Sequence, residues 1–340
     1  MQPTSPSQAP NPALVFALMN AHQQTAALNT AIELDLFRAV GAGPGDVASI
    51  AAHCQASERG IAILCDFLVV CGLLQKADGR YQHTPTSAVF LDPASPACLA
   101  SASRFMANPE IHEVYQRLPE IVRSGTTTLP GQGSVEPDNP IWVSFAENMA
   151  SLVRITSVEM AKMVLASLNG PIRVLDIAAG HGLFGIAFAQ QNPAAQITAV
   201  DWPNVLNVAQ RNASAAGVAN RFTQLPGSAF DVAFGTGFDA VLLTNFLHHF
   251  DHATNVTLLR KVHAALRPGG IAATLEFVPD EDRTSPPSAV GFALTMLTST
   301  PAGNAYTFSQ LKAMYTEAGF SNITQAPVPM SPETLVTGVA

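Results

Sequence analysis

A bend of small residues framed by two carboxylates is the part of this chain best equipped for chemistry. Val174-Leu175-Asp176-Ile177-Ala178-Ala179-Gly180-His181-Gly182 runs from an apolar strand into a tight turn and then opens a helix. Small residues let backbone approach a ligand closely, and a helix N-terminus presents N–H groups with no partner inside the helix. Asp176 precedes the turn. A carboxylate there welcomes an amino acid's ammonium group and opposes a pyrophosphate. Ala178 stands where a third glycine is often found, and alanine is small enough to fit. Ala199-Val200-Asp201 closes the next strand, 25 residues after Asp176, the length of one strand–helix–strand unit. A carboxylate at that place can accept both hydroxyls of a ribose. Gly180, Gly182 and Gly185 also satisfy the dinucleotide fingerprint G-x-G-x-x-G, which is a weak motif alone. Two features argue against that reading: the charge at Asp176, and the mid-chain start of a unit followed by Leu266-Arg267-Pro268-Gly269-Gly270.

The turn at 176–182, Asp201 and the Pro-Gly-Gly turn resemble class I S-adenosylmethionine-dependent methyltransferases. From about Ala13 to the C-terminus the chain resembles the winged-helix small-molecule O-methyltransferases. That group includes the plant caffeate and hydroxyindole enzymes and bacterial enzymes of pigment and polyketide pathways. The resemblance is specific in the C-terminal half and architectural in the N-terminal half. It implies S-adenosyl-L-methionine as cofactor and a small-molecule methyl acceptor, aromatic or polyketide-like. It also implies a homodimer whose N-terminal domains interlock and help close the partner's pocket. Carried over by position, Asp176, Ala178, Gly180 and Gly182 line the methionine part of the cofactor, and Asp201 binds the ribose. Trp202 lies near the adenine or ribose, Ser228 and Ala229 lie beside the adenine, and Asn245 sits close to the sulfonium. Many of the resembled enzymes have Asp where Ser228 stands.

The same resemblance puts a catalytic base at His248, in Asn245-Phe246-Leu247-His248-His249-Phe250, and a carboxylate that orients it at Glu276. The chemistry agrees. Methyl transfer is an in-line displacement at a sulfonium, and a neutral hydroxyl is a poor nucleophile. A phenol titrates near ~10 and histidine near ~6.5, so an oriented imidazole can draw off the proton as the new bond forms. A neighbouring acid fixes the imidazole tautomer and stabilises the imidazolium. The resembled enzymes often carry a second Glu just before a Thr that starts a late helix; Ala305 occupies that place, before Tyr306-Thr307. An incomplete carboxylate pair keeps open C- or N-methylation, or a cofactor-assisted reaction without methyl transfer. A third reading is a winged-helix DNA-binding regulator. His248, His249 and His252 have no carboxylates at metal-binding spacing, so no metal is expected.

The elements that must position these groups follow from periodicity. Residues 13–40 read as helical, followed by short helices at 46–53 and 57–72 and a hairpin around Asp78-Gly79, a winged-helix arrangement. Residues 97–123 and 141–168 are helical again, with a Gly/Pro/Thr-rich hinge or lid between them (124–140). In 141–168 one face carries Phe145, Met149, Leu152, Ile155 and Met163. After Gly170-Pro171, strands at 173–177, 196–200, 221–225, 238–243 and 271–277 alternate with helices, and strands at 323–327 and 334–339 lie close enough to pair antiparallel. The fold class is α/β: a mostly helical N-terminal winged-helix dimerisation domain plus a Rossmann-like, doubly wound seven-stranded sheet. Domain bounds are 13–95 for dimerisation, 96–168 for a helical linker with pocket helices, and 169–340 for cofactor binding. Candidate pocket residues are Met106, His112, Tyr115, Trp142, Phe145, Asn148, Met149, Phe292 and Met296.

Composition narrows the partners. The 340 residues are 48% hydrophobic and 12% charged, with formal net charge −8. A negative field repels phosphate backbones and anionic bilayers, so neither nucleic acid nor membrane is expected. The first hundred residues hold only Arg38, Arg59, Lys76 and Arg80 as cations against seven acids, which opposes the DNA-binding reading. Cys54, Cys65, Cys71 and Cys98 form no C-x-x-C pair and read as buried free thiols, suited to a cytoplasmic protein. The longest apolar stretch, 61–74, is too short to span a bilayer and contains Asp66.

Overall fold

A computed structural model describes residues 11–41 and 43–340. The chain divides into two compact units at Ala107/Asn108. The first unit contains α1 (Ala13–Met19), α2 (Ala21–Glu33), α3 (Leu36–Gly41), α4 (Val47–His53), α5 (Glu58–Val70), β1 (Leu74–Ala77), β2 (Arg80–His83), α6 (Pro85–Phe90) and α7 (Ala100–Met106). The run expected as one helical stretch over 13–40 is three helices, interrupted at Asn20 and at Asp35, whose φ is +54°. Side-chain oxygens set the next two starts. Asp46 accepts the Ser49 N–H, and Ser57 accepts the Gly60 N–H. The unit's core gathers Leu36, Phe37, Ile50, Ile61, Cys65, Leu68, Leu74 and Tyr81. All four thiols are free; Cys54 and Cys65 are buried, whereas Cys71 and Cys98 are only half-buried.

The second unit opens with α8 (Pro109–Gln116), α9 (Leu118–Ser124), α10 (Ile141–Asn148) and α11 (Ala150–Leu165). The segment between α9 and α10 is tied down: Thr126 and Thr127 hydroxyls donate to the Pro301 and Thr298 carbonyls. The stripe expected along 141–168 does not form the buried face. A break at Met149 shifts the helical phase, and α11 buries Ser157, Met160, Ala161 and Val164, leaving Ile155 exposed.

Strands and helices then alternate: β3 (Arg173–Ile177), α12 (Leu183–Gln191), β4 (Gln196–Asp201), α13 (Pro203–Ala215), β5 (Phe222–Pro226), β6 (Phe238–Thr244), α14 (His252–Ala265), β7 (Leu266–Glu276), α15 (Pro287–Ser299), α16 (Phe308–Glu317), β8 (Ser321–Pro327) and β9 (Thr334–Val339). They build a seven-stranded sheet of order β5-β4-β3-β6-β7-β9-β8. Strands β3 to β7 run parallel; β9 is antiparallel to β7 and β8. The Pro-Gly-Gly segment lies inside β7, where the register with β6 slips between Phe238 and Ala240. Helix α15, unpredicted as an element, completes the second unit. The β3 and β6 centres are almost wholly apolar, as sheets covered on both faces require. Two cores fill the two faces, one around Val174, Phe184, Phe188 and Leu242, the other around Leu175, Val241, Leu259 and Met314. Ligand crevices in such sheets open at the carboxyl ends of the strands, and the order reverses between β3 and β6. Asp176, Asp201, Asn245 and Glu276 all lie at those ends.

Candidate active site

The turn after β3 places three positions in left-handed backbone: Ala178 (φ +53°), Gly180 (+56°) and Gly182 (+75°). Alanine at 178 fits only at the steric cost that glycine avoids, about 1–2 kcal/mol. The other requirements are spatial. A Cβ on Gly182 would lie 2.9 Å from the Ala209 Cβ, whereas over Gly180 the nearest atom is 3.9 Å away. Thus Gly182 seats the turn against α13 and Gly180 keeps open space beside it.

Asp176 is fully buried. Its Oδ2 accepts the Gly185 N–H at 2.9 Å, and its Oδ1 has no partner. Gly185 is required by this contact, since a Cβ there would stand 2.9 Å from Oδ2 and 2.7 Å from the Ile197 Cγ2. Burial pushes the Asp176 carboxyl up to about 7, opposed by the Gly185 N–H, with Asp201 adding a smaller upward push. Asp201 accepts N–H groups from Gly180 (2.8 Å) and Trp202 (2.7 Å). Burial lifts it to about 6. A buried carboxylate oxygen without a donor, with a second carboxylate at the end of the neighbouring strand, suits a group with a positive end and hydroxyls. These residues therefore fit an amino-acid nucleoside cation.

The other expected cofactor residues lie on the segments that follow β4, β5 and β6. The Gly227 N–H donates to the Asp201 carbonyl at 2.9 Å, which brings the Ser228–Ala229 segment beside Asp201. The Ser228 hydroxyl accepts the Phe230 N–H, and Lys261 Nζ holds the Ala229 carbonyl. Trp202 caps the start of α13 and packs with Trp142, Val143, Ala146, Val205 and Val208. Asn245 follows β6 in left-handed backbone (φ +54°), with its N–H on the Leu275 carbonyl at 2.9 Å. Its side chain lies beside Glu333, a buried acid that desolvation pushes up to about 7 and that the Asn245 side chain pulls back. Sequence reasoning missed Glu333; its only signal is an acid placed directly before an apolar strand.

Glu276 ends β7 and is buried. Its Oε1 accepts N–H groups of Leu247 (2.9 Å), Phe246 (3.1 Å) and, more distantly, His248 (3.4 Å). Oε2 meets His248 Nδ1 at 2.5 Å. Backbone 246–249 makes a single 3₁₀ turn, Leu247–His249, whose N–H groups cradle the acid. Asn255 Nδ2 holds that turn from below through the Leu247 and Phe250 carbonyls. Burial drives the carboxyl up and the imidazole down; the three N–H donors pull the carboxyl back. When ionised, a carboxylate that accepts three backbone N–H groups takes the imidazole N–H as its fourth donor, an arrangement that leaves Nε2 with its lone pair.

Aromatic rings surround the pair. Phe292 stands edge-on to His248 at 4.7 Å and stacks on Phe277 at 4.3 Å. His249 lies 4.3 Å from His248, edge-on to Trp142 at 5.3 Å, with its Nδ1 buried and unpartnered. Of the expected pocket residues, Trp142, Phe145 and Phe292 join this neighbourhood; Met296 is buried on α15. Tyr115 reaches Thr295 on α15 instead, and Met106 belongs to the first unit. His181 has no acid partner. Its Nδ1 accepts the Leu183 N–H, and burial among Phe145 and Phe184 pushes it down to about 4. Among the described residues no group of His, Cys, Asp and Glu could hold a metal ion. No described helix is long and apolar enough to cross a membrane.

Residues 128–321 match the family model of the O-methyltransferase domain, and residues 16–93 match that of the O-methyltransferase dimerisation domain. The chain belongs to the O-methyltransferase family. This methyltransferase is S-adenosylmethionine-dependent, as the family is. It is 30% identical over 325 residues to a 3-hydroxy-5-methyl-1-naphthoate 3-O-methyltransferase of Streptomyces sahachiroi, covering 94% of this chain and 92% of that one. A solved structure from Nostoc punctiforme PCC 73102, classed as an O-methyltransferase, is 42% identical, covers 98% of this chain and all of its own, and superposes with a TM-score of 0.94. Human N-acetylserotonin methyltransferase, solved in complex with S-adenosylmethionine, shares the fold at 22% identity and a TM-score of 0.85, covering 99% of each chain.

Proposed function

We propose that this enzyme methylates a hydroxyl oxygen of a small hydroxylated aromatic or polyketide-like molecule, with His248 as general base and Glu276 as the group that orients it. The observation that carries the reading is the 2.5 Å contact of His248 Nδ1 with Glu276 Oε2 at the end of β7. That contact supports the tautomer in which Nε2 is an acceptor for a hydroxyl proton. The flanking rings of Phe292, Phe277 and Trp142 suit a flat apolar acceptor. The hydroxynaphthoate named for the Streptomyces relative has that character.

Bound S-adenosylmethionine supplies an electrophilic methyl on a sulfonium. Asp176 would hold its ammonium end, Asp201 its ribose hydroxyls, and the Ser228–Ala229 segment its adenine. Asn245, beside Glu333, would border the sulfonium end. His248 Nε2 takes the acceptor's proton as its oxygen becomes a nucleophile, and Glu276 stabilises the imidazolium that results. Such base catalysis contributes about 10²–10⁴-fold, and alignment of oxygen with methyl adds to it. The dimerisation domain works in a homodimer of this chain.

The test is product analysis. The enzyme is incubated with S-adenosylmethionine and a hydroxynaphthoate, and product is read by mass and by carbon NMR. One added methyl on oxygen supports the reading; a methyl on carbon or nitrogen, or a product without one, refutes it.

A further inference from the structure

Position 305, where the resembled enzymes often place a second acid, is a buried alanine here. What the structure puts around it is a cation. Arg283, in the segment between β7 and α15, spreads its guanidinium over the loop before α16: Nη1 donates to the Ala305 carbonyl at 3.0 Å and Nη2 to Asn304 Oδ1 at 2.9 Å. The Asn304 backbone N–H in turn donates to the His248 carbonyl at 2.8 Å. The loop meets the histidine turn without slack. A Cβ on Gly303 would lie 2.3 Å from the His248 carbonyl oxygen and 3.0 Å from that of His249. Thr300 fixes the loop's other end, accepting the Gly303 N–H at 2.8 Å and donating to the Met296 carbonyl at 2.7 Å.

Arg283 also holds an unfavourable backbone conformation, φ +58°, which a non-glycine residue keeps only where its surroundings impose it. Its own N–H is anchored on the Asp280 carbonyl at 2.8 Å. The fork is what a guanidinium does and an ammonium does not: two acceptors in fixed geometry, one on a side chain and one on the backbone.

We infer that Arg283 is a positioning residue for His248, setting the height of the imidazole over the acceptor site through Asn304, in place of an acid at 305. Glu276 fixes the ring's tautomer from one side; Arg283, by way of the 303–305 loop, fixes the turn that carries the ring from the other. The inference rests on the proposed role of His248 as base.

The experiment is a double-mutant cycle on the full-length enzyme with Arg283→Ala, His248→Ala and both together, assayed with a hydroxynaphthoate. Displacing a catalytic group by a fraction of an ångström to 1 Å costs about ten- to hundredfold in kcat, and that is the loss expected for Arg283→Ala. Affinity for S-adenosylhomocysteine by calorimetry stays within about twofold, because the cofactor residues are untouched. In the His248→Ala background the second substitution costs nothing further. A structural role alone would instead lower kcat by the same factor in both backgrounds. Arg283→Lys, which cannot form the fork, stays impaired. Should Arg283→Ala not fold, Asn304→Ala removes one arm of the fork and carries the same cycle. Unchanged kcat in Arg283→Ala, or equal losses in both backgrounds, overturns the inference. No loss in His248→Ala itself overturns the base assignment instead.

Discussion

Asp176 and Glu276 are both buried carboxylates at the carboxyl ends of parallel strands, separated in the sheet only by β6. Their surroundings differ in one respect. Glu276 is saturated by its own chain, with three N–H groups on one oxygen and an imidazole on the other. Asp176 has one N–H on one oxygen and nothing on the other. A buried, unpaired oxygen costs about 1–3 kcal/mol, and it persists where a ligand repays it. In the proposed function two buried carboxylates at strand ends are divided between two tasks: Asp176 for a cation from outside, and Glu276 for a histidine from inside.

The largest effect is expected for Glu276→Gln. Its amide cannot both accept the three N–H groups and hold Nδ1–H in the same way, so the wrong tautomer becomes accessible. We expect kcat to fall about 10²-fold or more with little change in cofactor affinity; a loss confined to cofactor affinity would erase the distinction from Asp176. The converse variant, Asp176→Asn, should weaken S-adenosylhomocysteine binding about 10- to 100-fold by calorimetry, as expected for losing a buried charge partner.

A pH test follows from the direction of the Asp176 shift. Free Asp176 is raised to about 7, so it is partly protonated at pH 6.5, whereas an ammonium partner favours its ionised form. Binding should therefore release protons near pH 6.5, and affinity should rise with pH from 5 to 7. Calorimetry in buffers of different ionisation enthalpy reads the proton count directly; zero release would place the ammonium elsewhere. His248 shifts the other way, since burial favours its neutral form. The acidic limb of kcat should accordingly lie below ~6.5, the value of an ordinary histidine. The smallest effect concerns Ala178. Glycine there relieves left-handed strain of about 1–2 kcal/mol but gains unfolded-state entropy of similar size. Ala178→Gly should move the melting temperature by only a few degrees.

The sequence disclosed the parts of this site that depend on local pattern. The small-residue bend and both strand-end aspartates were legible because a parallel sheet brings strand ends together whatever the loops do, and the family resemblance supplied the His248–Glu276 pairing. The seven-stranded sheet was legible for the same reason, from strand–helix alternation. The helix boundaries were less so: the breaks at Asn20, Asp35 and Met149 interrupt patterns that read as continuous, and the shift at Met149 turned the expected stripe of Leu152 and Ile155 away from the core. Tertiary contacts between distant loops left no periodic trace at all. Glu333 beneath Asn245 and Arg283 over Asn304 belong to that class. So does the binding of loop 126–127 to the end of α15, which ties down a segment expected as a hinge or lid.

The central claim, that His248 takes the acceptor's proton while the cofactor is held elsewhere, is tested most directly by His248→Ala, with turnover at saturating acceptor and S-adenosylhomocysteine affinity measured on the same preparation. With His248 as base, kcat falls about 10²–10⁴-fold while affinity is essentially unchanged. Turnover equal to that of the native enzyme would contradict it.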